Sequence, residues 1–190
     1  MQEIFENLLK GHQRAFEKTF QVKELEMMDH IARLLLSALK AGKKIMLCGN
    51  GGSAADAQHI AAEFVGRFEK ERRSLPALAL TTDTSALTAI GNDYSYDVIF
   101  SRQVEGLGNE GDVLIGITTS GNSRNILEAV RAAKTKKMHT VALTGKDGGK
   151  VKDLADLTLI VKSDKTSHIQ EMHIFILHAV AEAVEKVFFD

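Results

Sequence analysis

Hydrophobic and polar positions follow two regimes along this chain. From residue 2 to about 19, and just beyond at Phe20, apolar Ile4, Phe5, Leu8, Leu9, Ala15 and Phe16 recur between charges at helical spacing. The pattern returns over Val22–Leu39 through Leu25, Met28, Ile31, Ala32, Leu35 and Leu36, and stops near Gly42. The second regime is a set of short apolar runs bounded by glycine and polar turns: Ile45–Cys48, Ala77–Leu80, Val113–Ile117, His139–Leu143 and Leu157–Val161. Strands buried on both faces of a parallel sheet read this way. Helical stretches separate them: from Ala54 onward, from a Thr82 or Asp83 cap to Ile90, then Ser95–Val104, Arg124–Thr135 and Thr166–Phe188. Gly91-Asn92-Asp93 is expected to break the helix that ends at Ile90.

Strands alternating with helical crossovers predict an α/β fold, a three-layer α/β/α sandwich around a five-stranded parallel sheet. The chain reads as a single domain over 1–190, with residues 1–41 as an N-terminal helical hairpin and 42–190 as the α/β core. The hairpin is not needed to complete a doubly wound sheet, so its apolar face is expected to meet a second copy. The alternative is that both helices simply cover the sheet. In a flavodoxin-like strand order, the first and third strands are neighbours where the winding reverses, and ligands bind beside that point. The Gly49–Ser53 and Thr118–Ser123 turns would then face one crevice.

Composition narrows the classes. With 190 residues and 44% hydrophobic content the chain can bury a full core. A net charge of −1, with no dense lysine or arginine cluster, gives no reason to expect nucleic acid. The single cysteine excludes an intrachain disulfide framework and fits a reducing compartment; Cys48, at the end of a buried-looking strand, reads as packing. The opening Met-Gln-Glu-Ile-Phe-Glu is unlike a signal peptide, and no apolar run approaches the roughly 20 residues of a membrane span. A cytoplasmic protein with no membrane partner is expected.

Candidate chemistry gathers in three places. The turn Gly49-Asn50-Gly51-Gly52-Ser53 joins a strand to a helix N-terminus, where backbone N–H groups and the helix dipole favour an anion. Thr118, Thr119, Ser120 and Ser123 put four hydroxyls on another such turn, which suits a phosphate dianion or is an ordinary capped turn. Neither GxxxxGK[ST] nor GxGxxG occurs, so a nucleotide is disfavoured. His59 and Glu63, four residues apart, share one helix face. The closing helix adds Gln170 and His178, eight apart, with Ile174 between them. Two histidines, a glutamate and a glutamine carbonyl suit zinc or a similar ion, against the alternative of satisfied core polar groups. His12, His30 and His139 read as surface or interface residues, while His168 and His173 flank Gln170 as supporting or structural groups.

The stretches CGNGGSAADAQHIAAEFVGRF, AIGNDYSYDVIFSRQVEGLGNEGDVLIGITTSGNSRNILEA, LTGKDGGK and IQEMH resemble the phosphoheptose isomerases of the sugar-isomerase (SIS) domain superfamily. The likeness is collinear over nearly the whole chain. It implies a homotetramer with active sites at subunit interfaces and conversion of sedoheptulose 7-phosphate to D-glycero-D-manno-heptose 7-phosphate, which feeds lipopolysaccharide or capsule. It also implies phosphate binding by Thr118, Thr119, Ser120 and Ser123, and a sugar site lined by Asn50, Gly51, Gly52, Ser53, Asn92 and Asp93. One zinc ion per subunit would be held by His59, Glu63, Gln170 and His178, with Glu63 and Gln170 also meeting substrate. Thr118 stands where serine is frequent and keeps the hydroxyl; His168 stands where arginine is expected.

An aldose–ketose interconversion through an enediol needs a base at carbon and a group serving the oxygens. Glu63 and His178 are the expected catalytic pair. A carboxylate or imidazole bound to a metal is a weaker base, so the ion would be loosely held during turnover or mainly structural. The rival class is a non-catalytic SIS adaptor that binds a replication initiator, which would not need Glu63, Gln170 and His178 together. Another sugar-phosphate isomerase would share the phosphate loop.

Overall fold

The computed structural model describes residues 1–190. Two helices, α1 (Gln2–Thr19) and α2 (Val22–Lys40), precede β1 (Ile45–Gly49), α3 (Gly52–Val65), β2 (Ala77–Ala79) and α4 (Thr84–Asp93). A 3₁₀ turn at Tyr96–Val98 leads to α5 (Ser101–Leu107), β3 (Val113–Thr118), α6 (Arg124–Thr135) and β4 (His139–Gly145). A second 3₁₀ turn, Lys150–Asp153, precedes β5 (Leu157–Val161) and α7 (Thr166–Phe189). The five strands pair in the order β2-β1-β3-β4-β5, all parallel. This is the flavodoxin-like arrangement, with β1 and β3 in register from Ile45–Val113 to Gly49–Ile117.

Successive strand residues point to opposite faces, and two cores result. Ile45, Leu47, Val113, Ile115 and Ile117 pack with α2, α3 and α7. Met46, Cys48, Leu114 and Ala142 pack with α5, α6 and Phe100. Cys48 is buried in the second core, and burial pushes its thiol up to about 12, so it is an inert packing residue.

The two helices of the hairpin differ in burial. Ile31, Leu35, Ala38 and Leu39 of α2 are buried in the first core, so α2 is a sheet-covering helix. The apolar residues Ile4, Phe5, Leu8 and Leu9 of α1 stay exposed. Two helix boundaries also differ from expectation. The α3 helix begins at Gly52, two residues early. The α4 helix runs through Gly91-Asn92 to its end at Asp93, because Gly91 has no positive φ and a helix interior tolerates one glycine at about 1 kcal/mol. Asp83 caps α4, its Oδ1 accepting from the Ala86 amide at 2.9 Å. The stretch read as one helix over Ser95–Val104 is instead a 3₁₀ turn followed by α5. No helix is long and apolar enough to cross a membrane.

Candidate functional site

The β1 and β3 strands end side by side at the point where the winding reverses, so the two polar turns are neighbours as the strand order requires. A reciprocal amide pair closes them together. Asn50 Nδ2 donates to Asn125 Oδ1 at 2.9 Å, and Asn125 Nδ2 donates back to Asn50 Oδ1 at 2.8 Å. The Tyr96 hydroxyl donates to the same Asn50 oxygen at 2.9 Å. Beside this knot lies a cavity of about 430 Å³ lined by Asn50, Gly51, Thr81, Thr88, Tyr96 and Phe100 among others. Ser53 is buried, and its amide donates to Asn50 O at 3.0 Å. Asn92 and Asp93 follow Gly91, a residue of the cavity wall, and are exposed; Asn92 Nδ2 donates to Asp93 Oδ1 at 2.9 Å.

The hydroxyl-rich turn runs from the end of β3 to the N-terminus of α6. Thr118 is buried, with its Oγ1 3.1 Å from Ser123 Oγ. Ser120 Oγ accepts from the Asn122 amide at 3.2 Å, and Asn122 Oδ1 accepts from the Lys150 amide at 3.1 Å. The turn at 148–149 braces it from behind. Gly121 has φ +67°, and a Cβ there would lie 2.0 Å from Gly148 O; a Cβ on Gly149 would lie 2.4 Å from Ser120 O. Only glycine fits at position 121. Gly121→Ala is expected to weaken phosphate binding at least tenfold in a calorimetric titration, since a strained left-handed residue alone costs about 1–3 kcal/mol.

Further along α3, three side chains converge. His59 Nε2 lies 3.0 Å from Glu63 Oε1 and 3.4 Å from His178 Nε2. One ligand atom from each of the three falls within 4.8 Å of the others. Bonds of about 2.0–2.2 Å in a tetrahedral zinc site put neighbouring ligand atoms roughly 3.3 Å apart. Two of the three spacings match that edge and the third, Glu63 to His178, is wider but within 4.8 Å, so the donor types suit a divalent ion that would draw them together. Burial, with the neighbouring His59 charge, holds the His178 imidazole below the ordinary histidine range against the pull of Glu63.

Gln170 belongs elsewhere in its own chain. Its amide packs on Gly52, where a Cβ would sit 2.6 Å from Gln170 Nε2. Two turns of α7, about 12 Å along the axis, separate it from His178. The same geometry places Glu63 eleven residues beyond Gly52, about 16 Å along α3. Each chain therefore carries two separate polar groupings, the crevice at the β1 and β3 turns and the imidazole–carboxylate cluster.

The remaining histidines sort by burial. His173 is fully buried, Nε2 lies 3.1 Å from Thr144 O, and burial lowers its pKa to about 4. It is a neutral structural group that donates to the end of β4. His168 sits edge-on to His12, whose Nδ1 lies 2.7 Å from Glu171 Oε2, between α1 and α7. Asn125, Tyr96, Thr81 and Thr88 were not expected from the sequence. No motif marks an asparagine inside the first turn of a helix, and only the strand order brings it to Asn50.

Parallel strand order, crevice and hydroxyl turn define a SIS-type α/β protein, and the model of the SIS domain matches residues 12–145. The chain is 57% identical over 189 residues to a phosphoheptose isomerase of a Nitratiruptor species, covering 99% of this chain and all of that one. It is 50% identical over 185 residues to that of Campylobacter concisus, covering 97% of each. The phosphoheptose isomerase structure from Neisseria gonorrhoeae superposes with a TM-score of 0.92 at 48% identity, covering 97% of this chain and 98% of that one. The Francisella tularensis structure gives 0.93 at 38%, covering 97% of each. The chain belongs to the phosphoheptose isomerase family of SIS-domain proteins, and it is a sugar-phosphate isomerase.

Proposed function

We propose that this protein interconverts sedoheptulose 7-phosphate and D-glycero-D-manno-heptose 7-phosphate through an enediol, in the cytoplasm, as a homotetramer. The observation that supports this reading most is the convergence of Glu63 and His178 on His59. The phosphate sits on the Thr118, Thr119, Ser120 and Ser123 turn at the α6 N-terminus, and Asn50, Gly51, Gly52, Ser53, Asn92 and Asp93 line the sugar. The two half-sites of one chain are separated along α3, so a working site combines the crevice of one copy with the cluster of another.

Glu63 takes the proton from C1 of the ketose and returns it to C2, leaving the carbonyl at C1. His178 relays the proton between the two sugar oxygens, the C1 hydroxyl giving one up as the C2 oxygen gains one. His59, Glu63 and His178 would hold zinc, with Gln170 as a fourth ligand. Bound there, the ion would polarise the sugar oxygens. Gln170, packed on the glycine turn, orients the substrate.

The test is to incubate the purified protein with sedoheptulose 7-phosphate, with and without chelator, and follow the aldose by NMR. Formation of the heptose aldose, slowed at least tenfold by the chelator, is the expected result. No product in either arm would overturn the isomerase assignment for this substrate, and full activity with chelator would overturn the ion's part.

A further inference from the structure

An ionic knot under the imidazole–carboxylate cluster is used by none of the chemistry above. Glu185 of α7 is 2% exposed. Its Oε1 accepts from the Phe68 amide at 3.0 Å and from Arg72 Nε at 2.8 Å; its Oε2 accepts from the amides of Glu69 and Lys70 at 2.8 and 2.9 Å. Three successive amides of the segment after α3 thus wrap one carboxylate, the arrangement of an anion nest. The Arg72 guanidinium, itself buried, spends its other donors on backbone carbonyls, chiefly at the end of α3. Nη2 donates to Glu63 O at 2.6 Å, and Nη1 donates to Phe64 O at 2.8 Å and Gly66 O at 2.9 Å. It satisfies the orphan carbonyls of the helix that carries His59 and Glu63, with positive charge at the dipole's negative end.

The knot also fixes Phe68. Because the Phe68 amide is held by Glu185, its ring lies on the His178 imidazole, with centroids 5.6 Å apart and planes at 27°. His178 also meets His59 at 4.8 Å between centroids and 76° between planes, with the two Nε2 atoms 3.4 Å apart. The imidazole thus has a near-parallel ring contact with Phe68 and a steep one with His59, both in the range where aromatic pairs attract. Rotation about its Cβ–Cγ bond gives up both contacts. Glu185 lies seven residues after His178 on the same face of α7, so a single carboxylate ties both helices of the cluster to the intervening segment.

We infer that Phe68, seated by the Arg72–Glu185 knot, is a positioning residue that sets the ring plane of His178 and so aims its Nε2 at the point shared with His59 and Glu63. The catalytic part of this inference rests on the isomerase reading; the structural part does not. Phe68→Leu keeps an apolar side chain but removes the stacking face, and Phe68→Tyr restores it. In the metal-free protein, NMR should show the His178 ring protons shifted upfield by the Phe68 ring current in the native and Tyr forms, and not in the Leu form. Zinc affinity by competition should fall about tenfold in Phe68→Leu and recover in Phe68→Tyr. Turnover of sedoheptulose 7-phosphate should fall about tenfold at nearly unchanged KM, with the same recovery. Arg72→Lys, which loses the fork to α3, should reproduce the Leu phenotype. Identical His178 shifts and zinc affinity in native protein and Phe68→Leu would overturn the inference. Loss of those two signals in a protein that turns over no heptose phosphate would uphold it and reject the isomerase reading instead.

Discussion

Glu63→Gln is expected to cut isomerase turnover about a hundredfold to ten-thousandfold, the usual worth of a positioned general base. The amide keeps the shape of the side chain and can still meet His59 Nε2, now 3.0 Å from Glu63 Oε1. It cannot take a proton from carbon. Phosphate binding should survive, because the Thr118–Ser123 turn belongs to β3 and α6, while Glu63 lies on α3. The measurement pairs steady-state rates on sedoheptulose 7-phosphate with a calorimetric titration of inorganic phosphate. A variant that keeps more than about a tenth of the native rate would remove Glu63 from the role of base.

Glu185→Ala is expected to destabilise the fold by about 3–5 kcal/mol, because it leaves the Arg72 charge buried without its partner. For a chain of this size that corresponds to a melting temperature lower by on the order of 10 °C. The effect depends on pH. Burial opposes ionisation of Glu185, but the amides of Lys70, Glu69 and Phe68 and the Arg72 guanidinium outweigh it and bring the carboxyl down from 4.5 to about 2. The folded value is depressed, so the unfolded chain binds the proton more readily. The contribution is complete above the unfolded value of 4.5 and is lost as pH falls through the folded value near 2. The melting temperatures of native protein and Glu185→Ala should therefore lie far apart at pH 7 and draw together between pH 4.5 and 2. A constant gap across that range would show that Glu185 does not act through its charge.

Both variants concern side chains that the sequence exposed to different degrees. Glu63 was legible because a helix of period 3.6 puts residues four apart on one face, and His59 marks the face. Its meeting with His178 was only a spacing argument until β-strand order placed α3 beside α7. The sheet itself was legible from five apolar runs, since strands buried on both sides leave no polar residues to confuse the pattern. Helix ends were less so. Gly91 looked like a breaker because glycine is a weak helix former, yet the helix started by the Asp83 cap carries through it with no positive φ. The Arg72–Glu185 knot could not be read at all. Charged residues at those positions look like any solvated surface pair, and their burial is decided by how the segment after α3 folds back onto α7.

The mutual amide pair at Asn50 and Asn125 links the crevice to chemical ageing. Asn50 precedes Gly51, and an asparagine followed by glycine loses its side-chain amide to hydrolysis more readily than any other. The aspartate left behind has no N–H to return to Asn125, and it adds a negative charge beside the crevice proposed here for an anionic sugar phosphate. An old molecule would thus decline in substrate affinity with no change in its gene, and the atoms that hold the two turns together would set its shelf life.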